Sequence, residues 1–496
     1  MLNKLTSSFS FLNGDSLRAK CARSSSILSI GTVADKGLAF VSKMILVRLL
    51  VPEEIGLMVL ILSLTTMFDV FTEVGIKQSV IQHKAGAEPD YLNMAWWFQS
   101  VRSLCLYGAA YLTVPFVCDF YFADKTEVIQ NHSFEELYLL VRTAFLFILL
   151  NGLVSPGAHI LEKEFKFVKS VFIVQGSAII GTAVTIILAY YYRNVWAMVI
   201  GFVSWAVFKL ILSFVICPFV PKFKFDRESF KELLRFARGM LGIPILTYLA
   251  FNLDVLVAGK IVSADLLGMY GMAIVLARIP REFFTRIISP TLLPALAEKQ
   301  DNREALRSAV LKLSKYIALF TFPFTALICT CSGDILSVVY NSEYRVIASA
   351  FSLLILYMIL LLLGGVFINL FLALGVPAKH RLFVTIRTVI LAATIYPCIK
   401  YFGLTGAAFS VFISNLIAWV FQIRVAGELI DLKINRYFLS LVPGLALSVP
   451  VYSIVTLLNY FVPSYVWIHF FSGLIFLIIV PAVVFVFKKG LLKNTV

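Results

Sequence analysis

The chain has 496 residues, of which 60% are hydrophobic and 14% are charged, with a formal net charge of +15 at pH 7. Its mean hydropathy of +0.90 is too high for a soluble protein of several domains. The basic excess does not indicate nucleic-acid binding, because the lysines and arginines lie in short segments beside apolar stretches, where anionic lipid attracts them.

Fourteen apolar stretches follow one another along the chain, and each is long enough to cross about 30 Å of hydrocarbon as a helix. No segment between them is long enough to form a separate globular domain. The sequence therefore predicts an all-α integral membrane protein of about 14 transmembrane helices. The stretches lie at residues 27–50, 55–76, 92–118, 137–159, 169–190, 195–217, 233–258, 266–289, 316–332, 346–373, 382–399, 404–423, 438–460 and 465–487.

The lysines and arginines between these stretches and at their ends alternate from gap to gap. One set of gaps, which includes both termini and the loop with Lys379, Arg381 and Arg387, contains 28 cations, whereas the other set contains five. By the positive-inside rule, the cation-rich gaps are cytoplasmic. Both termini are therefore predicted to lie in the cytoplasm, with the chain in the cytoplasmic (inner) membrane.

The second half of the chain resembles the first when the sequence is compared with itself at an offset of 212 positions. ILVRLLVPEEIGLMVL, from Ile45, aligns without gaps with VAGKIVSADLLGMYGM, from Val257, so that Gly56 corresponds to Gly268. Two parallel halves of six spans are typical of transporters. Two hairpins that share only a glycine turn would explain the same alignment.

This repeat predicts five parts, two of which are parallel six-helix lobes. They are a cytoplasmic N-terminal tail (1–26), an N-lobe of spans one to six (27–217), a cytoplasmic linker (218–232), a C-lobe of spans seven to twelve (233–425), and a C-terminal helix pair with a cytoplasmic tail (426–496).

Three segments resemble the polysaccharide-transport branch of the MOP exporter superfamily, the Wzx-type lipid-linked oligosaccharide flippases. NLDVLVAGKIVSADLLGMYGMAIVLARIP, from Asn252, resembles the seventh span of that branch, its outer turn and the LGxY start of its eighth span. RLLVPEEIGLMVLI, from Arg48, resembles the matching first turn, and LEKEFKFVKS, from Leu161, resembles the basic loop before span five. The resemblance extends over residues 27–425, and the C-terminal pair fits the longer members with fourteen spans.

The resemblance implies that the protein moves an undecaprenyl-pyrophosphate-linked oligosaccharide repeat unit across the cytoplasmic membrane by alternating access. This movement is a step in the biosynthesis of O-antigen (lipopolysaccharide), capsule or exopolysaccharide. The implied partners are the lipid-linked oligosaccharide, membrane lipid, a polysaccharide polymerase and glycosyltransferases, with no nucleic acid. Neither catalysis nor a cofactor or metal is expected, and the expected coupling ion is Na⁺ or H⁺.

Charged residues inside the predicted spans are the candidates for a transport site, because a charge at the bilayer centre costs about 2.5–3.5 kcal/mol and therefore faces a cavity or a partner. On span one, Lys36 and Lys43 lie two helical turns apart on one face. Arg102 of span three has no carboxylate within reach on its own helix. We predict that these three cations bind the pyrophosphate, whose oxygens need several donors. The alternative for the lysines is pairing with Asp69 and Glu73 of span two.

Further candidates lie in the second half of the chain. Arg278 of span eight is also predicted to bind the pyrophosphate, although Glu282, four residues later, is an alternative partner on the same helix. Asp254 of span seven, beside Asn252, is predicted to bind the coupling ion, and pairing with a basic residue of another helix is the alternative. Near the span ends, five long side chains are expected to extend to the membrane interface, namely those of Arg48, Arg142, Lys209, Arg238 and Arg286.

Two other functions compete with a flippase. A multidrug exporter of the same superfamily would carry cationic drugs and should favour carboxylates in its cavity, whereas ten cations and five carboxylates are embedded in these spans. A membrane-bound polysaccharide polymerase or ligase usually presents catalytic groups on a long outer loop. The longest outer gap here, 119–136, is short and has one histidine, His132. A flippase for an anionic cargo is therefore the predicted function.

Overall fold

The computed structural model describes residues 37–71, 75–164, 166–222, 224–240 and 242–461. The predicted N-terminal tail, span fourteen, Lys36 and Glu73 lie outside these residues. Throughout the described ranges the chain forms helices and turns, without a strand. The prediction of an all-α protein is confirmed for this part of the chain.

Two compact units make up the chain, Met1–Gly268 and Met269–Val496. The N-terminal unit contains α1 (37–49), α2 (Pro52–Phe71), α3 (Ile76–Gln82), α4 (Pro89–Phe122), α5 (Thr126–Asn131), α6 (Phe134–Gly152), α7 (Gly157–Lys163), α8 (Phe167–Tyr192), α9 (Val195–Ile216), α10 (Arg227–Met240) and α11 (Ile243–Ile261). The boundary falls inside α12 (Ala264–Phe283). The C-terminal unit continues with α13 (Ser289–Ala297), α14 (Arg303–Thr330), α15 (Ser332–Val339), α16 (Ala348–Ala373), α17 (Pro377–Ile430) and α18 (Ile434–Phe461).

Several of these helices have the length and composition of membrane spans. Eight helices of the described ranges are long and apolar enough to cross a membrane, and the bent pair α6 and α7 would add a ninth. Helix α17 has 54 residues because two helices meet at Gly403, where φ is 57° and ψ is −139°, so it contains predicted spans eleven and twelve. The chain is therefore a multi-pass membrane protein, and the count of fourteen spans stays a prediction.

Span seven begins later than the predicted residue 233. Instead, α10 is a separate amphipathic helix that buries Leu233 and Ala237 and exposes Lys231 and Arg235. A break follows at Gly242, whose φ of 90° favours glycine, and α11 begins directly after it. The prediction was wrong because the apolar face of a surface helix extends the apolar stretch of the span that follows it.

Reciprocal glycine contacts join α2 to the start of α12. A Cβ atom at Gly56 would lie 1.8 Å from the Ala264 carbonyl oxygen, and one at Gly268 would lie 2.1 Å from the Pro52 carbonyl oxygen. Positions 52 and 56 align with 264 and 268 at the offset of 212, so the two similar segments make the same contact with each other, as in an isologous interface. Nearby, the Tyr248 hydroxyl of α11 donates to the Ser63 carbonyl of α2.

The C-terminal unit is built around α16. Of its apolar segment 61% is buried, against 17–39% in the other candidate spans, which places it at the centre of the unit. Helices α14, α17 and α18 surround it, and the core between them contains Phe367, Phe371, Trp419 and Tyr437. The aromatic rings pack at tilted or edge-on angles. A small residue brings α18 close to α14, because a Cβ atom at Gly444 would lie 2.5 Å from the Ala318 carbonyl oxygen.

Candidate functional site

A polar cavity of about 370 Å³ lies inside the N-terminal unit. Helices α2, α3, α4, α6, α7, α8 and α9 contribute to its wall, and its charged lining residues are Asp69, Lys77, Arg102, Glu162 and Lys209. Lys77 and Glu162 belong to cation-rich gaps, so the cavity lies toward the face that is predicted to be cytoplasmic. Its neutral polar lining includes Gln78, Gln99, Asn151 and His159.

Four side chains from four helices form the centre of this cavity. The Nη2 atom of Arg102 donates to the Asp69 carbonyl oxygen at 2.7 Å and lies 3.4 Å from its Oδ1. Asn151 Nδ2 donates to Asp69 Oδ2 at 3.5 Å, and Lys209 Nζ donates to Asn151 Oδ1 at 2.7 Å. Asn151 therefore connects the lysine to the Asp69–Arg102 pair, and we call these four residues the Asp69 cluster.

The close approach of α4 and α6 positions Asn151 within the cluster. A Cβ atom at Gly152 would lie 2.0 Å from Ser103 Oγ, so glycine is required at this crossing. Gln99 Nε2 of α4 then donates to the Asn151 carbonyl oxygen at 3.1 Å. Because its backbone is held in this way, Asn151 presents its side-chain amide to Asp69 and Lys209 from a defined direction.

The cavity has an excess of positive charge. Lys77 and Glu162 form an ion pair at 2.7 Å near its rim, whereas Arg102 and Lys209 share the single carboxylate of Asp69. The Arg102 side chain is only 17% exposed, so its charge is poorly screened by water. Guanidinium, ammonium and amide donors on one wall are suited to an anion with several oxygens, such as a phosphate.

Two expectations from the sequence change here. Arg102 has no carboxylate within reach on its own helix, but the fold brings Asp69 to it from α2. Pairing of Asp69 with lysines of span one was the expected alternative. The prediction that Lys209 extends to the interface is wrong, because its ammonium group donates to Asn151 inside the unit. The sequence offered no signal for Asn151, since a lone asparagine at a span end has many ordinary roles.

A second group of cations lies in the C-terminal unit, on α12 and α17. Arg387 is 5% exposed, and its Nη2 atom donates to the Tyr357 hydroxyl at 2.9 Å. The electrostatic neighbours of Arg281 include Tyr357, Arg278, Glu282 and Arg387. The prediction that Arg387 is a loop cation is therefore wrong. Its position inside the apolar stretch 382–399 was the signal that could have identified it.

The remaining predicted site residues are more dispersed. Lys43 is half-buried on α1, and Arg278 lies in the group just described. Asp254 is 4% exposed, while Asn252 Nδ2 donates to the Tyr248 carbonyl oxygen of its own helix at 3.1 Å. In the described ranges, no three histidine, cysteine or acidic side chains converge as metal ligands. Pyrophosphate binding by Lys36, Lys43 and Arg278, and ion coupling by Asp254 and Asn252, stay predictions.

The helical fold of this chain is similar to that of solved transporter structures. The fold matches the lipid II flippase MurJ in an inward closed conformation, with a TM-score of 0.71, 16% identity and coverage of 94% of this chain and 99% of that one. It also matches an inward-facing MATE family multidrug transporter of the MOP superfamily, with a TM-score of 0.57, 16% identity and coverage of 79% and 95%. At these identities the likeness concerns the fold alone.

Sequence relatives define the family more narrowly. The family model described as "Polysaccharide biosynthesis protein" matches residues 45–349, and the chain belongs to this family. The lipopolysaccharide biosynthesis protein WzxC of Escherichia coli (strain K12) is 25% identical over 341 residues, which are 68% of this chain and 67% of WzxC. The amylovoran biosynthesis protein AmsL of Erwinia amylovora is 28% identical over 284 residues, 56% of this chain and 73% of AmsL. The predicted resemblance to Wzx-type proteins is confirmed.

Proposed function

We propose that the protein moves an oligosaccharide repeat unit, linked to undecaprenyl pyrophosphate, from the inner to the outer leaflet of the cytoplasmic membrane. The step serves the biosynthesis of a surface polysaccharide such as O-antigen, capsule or exopolysaccharide. Alternating access requires no covalent chemistry. In alternating access the protein opens to one side of the membrane or to the other. Cargo that binds one of these two conformations more tightly shifts their populations by the difference in affinity.

The observation that carries this proposal is the Asp69 cluster. Arg102 contacts the Asp69 carboxylate directly, and Lys209 is connected to it through Asn151. Two cations and one carboxylate leave positive charge in a partly buried site, where attraction to a pyrophosphate is stronger than in water. The names of WzxC and AmsL assign those relatives to lipopolysaccharide and amylovoran biosynthesis. Both names support a polysaccharide precursor as the cargo.

A multidrug exporter is the rival transporter, and the charges of both units disfavour it. A cationic drug would be repelled by the excess of basic residues in the N-terminal cavity. It would also be repelled by the arginines around Tyr357 in the C-terminal unit. The likeness to the MATE transporter gives this rival no further support, since it concerns the fold.

The experiment separates cargo binding by Arg102 from simple neutralisation of Asp69. Arg102→Gln removes the guanidinium, and Arg102→Gln/Asp69→Asn replaces the whole ion pair by two neutral groups of similar shape. If Arg102 binds the pyrophosphate, both variants should lose about tenfold or more in transport rate, because a hydrogen bond to a charged group contributes about 1.5–3 kcal/mol.

Transport is measured in reconstituted vesicles that contain a polyprenyl-pyrophosphate oligosaccharide with a fluorescent sugar. Dithionite does not cross the membrane, and it therefore quenches only the labelled cargo in the outer leaflet. Arg142→Gln is the matched control, since the Arg142 guanidinium lies 4.1 Å above the Tyr111 ring and away from the cavity. Recovery of transport in the double variant would show that Arg102 only neutralises Asp69. A wild-type protein that moves no labelled cargo would refute the proposed function itself.

A further inference from the structure

An apolar groove of about 560 Å³ lies beside the polar cavity in the N-terminal unit. Its wall consists of side chains from α4, from α10 and from the segment before α10. The apolar lining residues are Met94, Trp97, Phe98, Val101, Phe225 and Phe230. This volume falls within the range of about 300–1,000 Å³ that is usual for small-molecule sites.

Hydrogen bonds hold the segment before α10 against α4. Trp97 Nε1 donates to the Lys222 carbonyl oxygen at 2.9 Å, and Asn93 Nδ2 donates to the Lys224 carbonyl oxygen at 3.1 Å. Lys222 N donates in turn to Asn93 Oδ1 at 2.8 Å. In all three bonds, a backbone group of the segment pairs with a side chain of α4, so the backbone on one side of the groove is held in place.

Apolar side chains remain exposed along the groove. Phe225 is 66% exposed and Val101 is 53% exposed, while the rings of Phe98 and Phe230 pack with their centroids 5.9 Å apart. Exposed apolar surface of this kind, bordered by polar residues, marks a binding site or a membrane contact. The groove therefore suits an occupant with an apolar body.

Cations stand at two places along the groove, and one of them is shared with the polar cavity. Lys224 lines the groove and pairs with Asp90 at 2.6 Å. Arg102 lines both the groove and the polar cavity. A molecule with an apolar chain and an anionic head could therefore place its chain in the groove and its head at the Arg102 guanidinium, which is part of the Asp69 cluster.

We propose that the groove between α4 and α10 binds the first isoprene units of a polyprenyl phosphate or pyrophosphate, with the phosphate at Arg102. This inference rests on the proposed function, because it assigns the cargo's lipid chain to a site beside the cavity for its head group. The aromatic and thioether side chains of the groove suit a branched, unsaturated chain, since rings and methionine adapt to irregular apolar shapes. The charge of the phosphate complements the basic residues at the groove.

The test uses a polyprenyl monophosphate that carries a photoactivatable diazirine on the isoprene unit next to the phosphate. The full-length protein is reconstituted in vesicles of phosphatidylethanolamine and phosphatidylglycerol, irradiated and analysed by mass spectrometry. Adducts are expected in the segments 94–102 and 225–230. Val101→Trp fills the groove and should lower the adduct yield about tenfold, because overpacking disfavours a bound chain.

Leu112→Trp is the matched control, since Leu112 lies about three turns further along the same helix, is 72% exposed and does not line the groove. This variant should keep the wild-type adduct yield. Equal labelling of wild type and Val101→Trp would overturn the proposal. So would equal labelling of these segments by a phospholipid with the diazirine in its acyl chain, because the groove would then hold bulk lipid.

The outcomes also separate this inference from the proposed function. If wild-type protein moves the fluorescent cargo but the groove segments remain unlabelled, the groove assignment fails and the flippase function stands. If the groove is labelled selectively by the polyprenyl probe but no cargo moves, the groove assignment stands and the flippase function fails.

Discussion

At the scale of single residues, His132 illustrates how a charge outside the spans is held by its neighbours. Its Nε2 and Nδ1 atoms each lie 3.2 Å from a carboxylate oxygen, of Glu54 and Glu136 respectively. Glu54 also accepts a hydrogen bond from the Val195 backbone at 2.7 Å. The hydrogen bond with Glu54 is the main cause that raises the pKa of His132 above its ordinary value of 6.5, and burial opposes it.

This pKa shift predicts a pH dependence of stability. A histidine whose pKa is raised by folding stabilises the folded state below about pH 6.5, and the contribution is lost as the pH rises through the folded-state pKa. Wild-type protein in detergent should therefore lose more thermal stability between pH 6 and pH 8.5 than His132→Gln. Glu54→Gln should reduce the difference in the same way. An unchanged pH dependence in both variants would contradict this assignment.

The residue scale also shows what could not be predicted. The sequence identified Arg102 and Asp69 as embedded charges, but whether they meet depends on the rotation and depth of two separate helices. The rotation and depth of a helix are determined by its contacts with other helices. For α4, one such contact is between Ser103 and Gly152 of α6, and these residues are 49 positions apart in the sequence. The sequence could therefore identify Arg102 and Asp69 as embedded charges, but it could not predict that they pair or that Asn151 and Lys209 join them.

At the scale of elements, the apolar stretches predicted most helices well, because the hydrocarbon thickness requires long runs of apolar residues. An error arose where a helix lies along the surface, as α10 does, whereas the break at Gly403 in α17 falls between the predicted spans eleven and twelve. The surface helix continues the pattern of apolar residues of the following span although the chain changes direction between them. The spacing of apolar residues in a sequence indicates a helix, but it does not indicate the direction in which the helix axis runs.

The contact between α2 and α12 gives a prediction for single elements. Gly56→Ala and Gly268→Ala each place a Cβ atom against a backbone carbonyl of the other segment, so the two helices must separate. Each variant should lose about 1–3 kcal/mol of stability, seen as a lower thermal midpoint in detergent. Gly108→Ala is the control, because a Cβ at Gly108 meets no atom within 4 Å and alanine favours the helix. Equal thermal midpoints for all three variants would show that the two helices can separate without a loss of stability.

At the scale of the whole molecule, the alternation of cations predicts the topology. The segment before α10 should face the cytoplasm, and the segment of α5 should face outward. After replacement of the exposed Cys105, a membrane-impermeant maleimide should label Gln130→Cys in intact cells. It should label Arg227→Cys only after the cells are opened. Both chosen residues are exposed, and external labelling of Arg227→Cys would reverse the proposed orientation.

The reciprocal contact of Gly56 and Gly268 also bears on how such a chain evolves. Halves that arise by duplication diverge freely wherever a residue touches only its own copy. Here a backbone carbonyl group of the other segment lies against each glycine. A substitution changes a side chain, and so it cannot make this carbonyl group smaller. A larger residue at one position therefore cannot be compensated by a smaller one at the other. Descendants that preserve this contact must therefore inherit both glycines together.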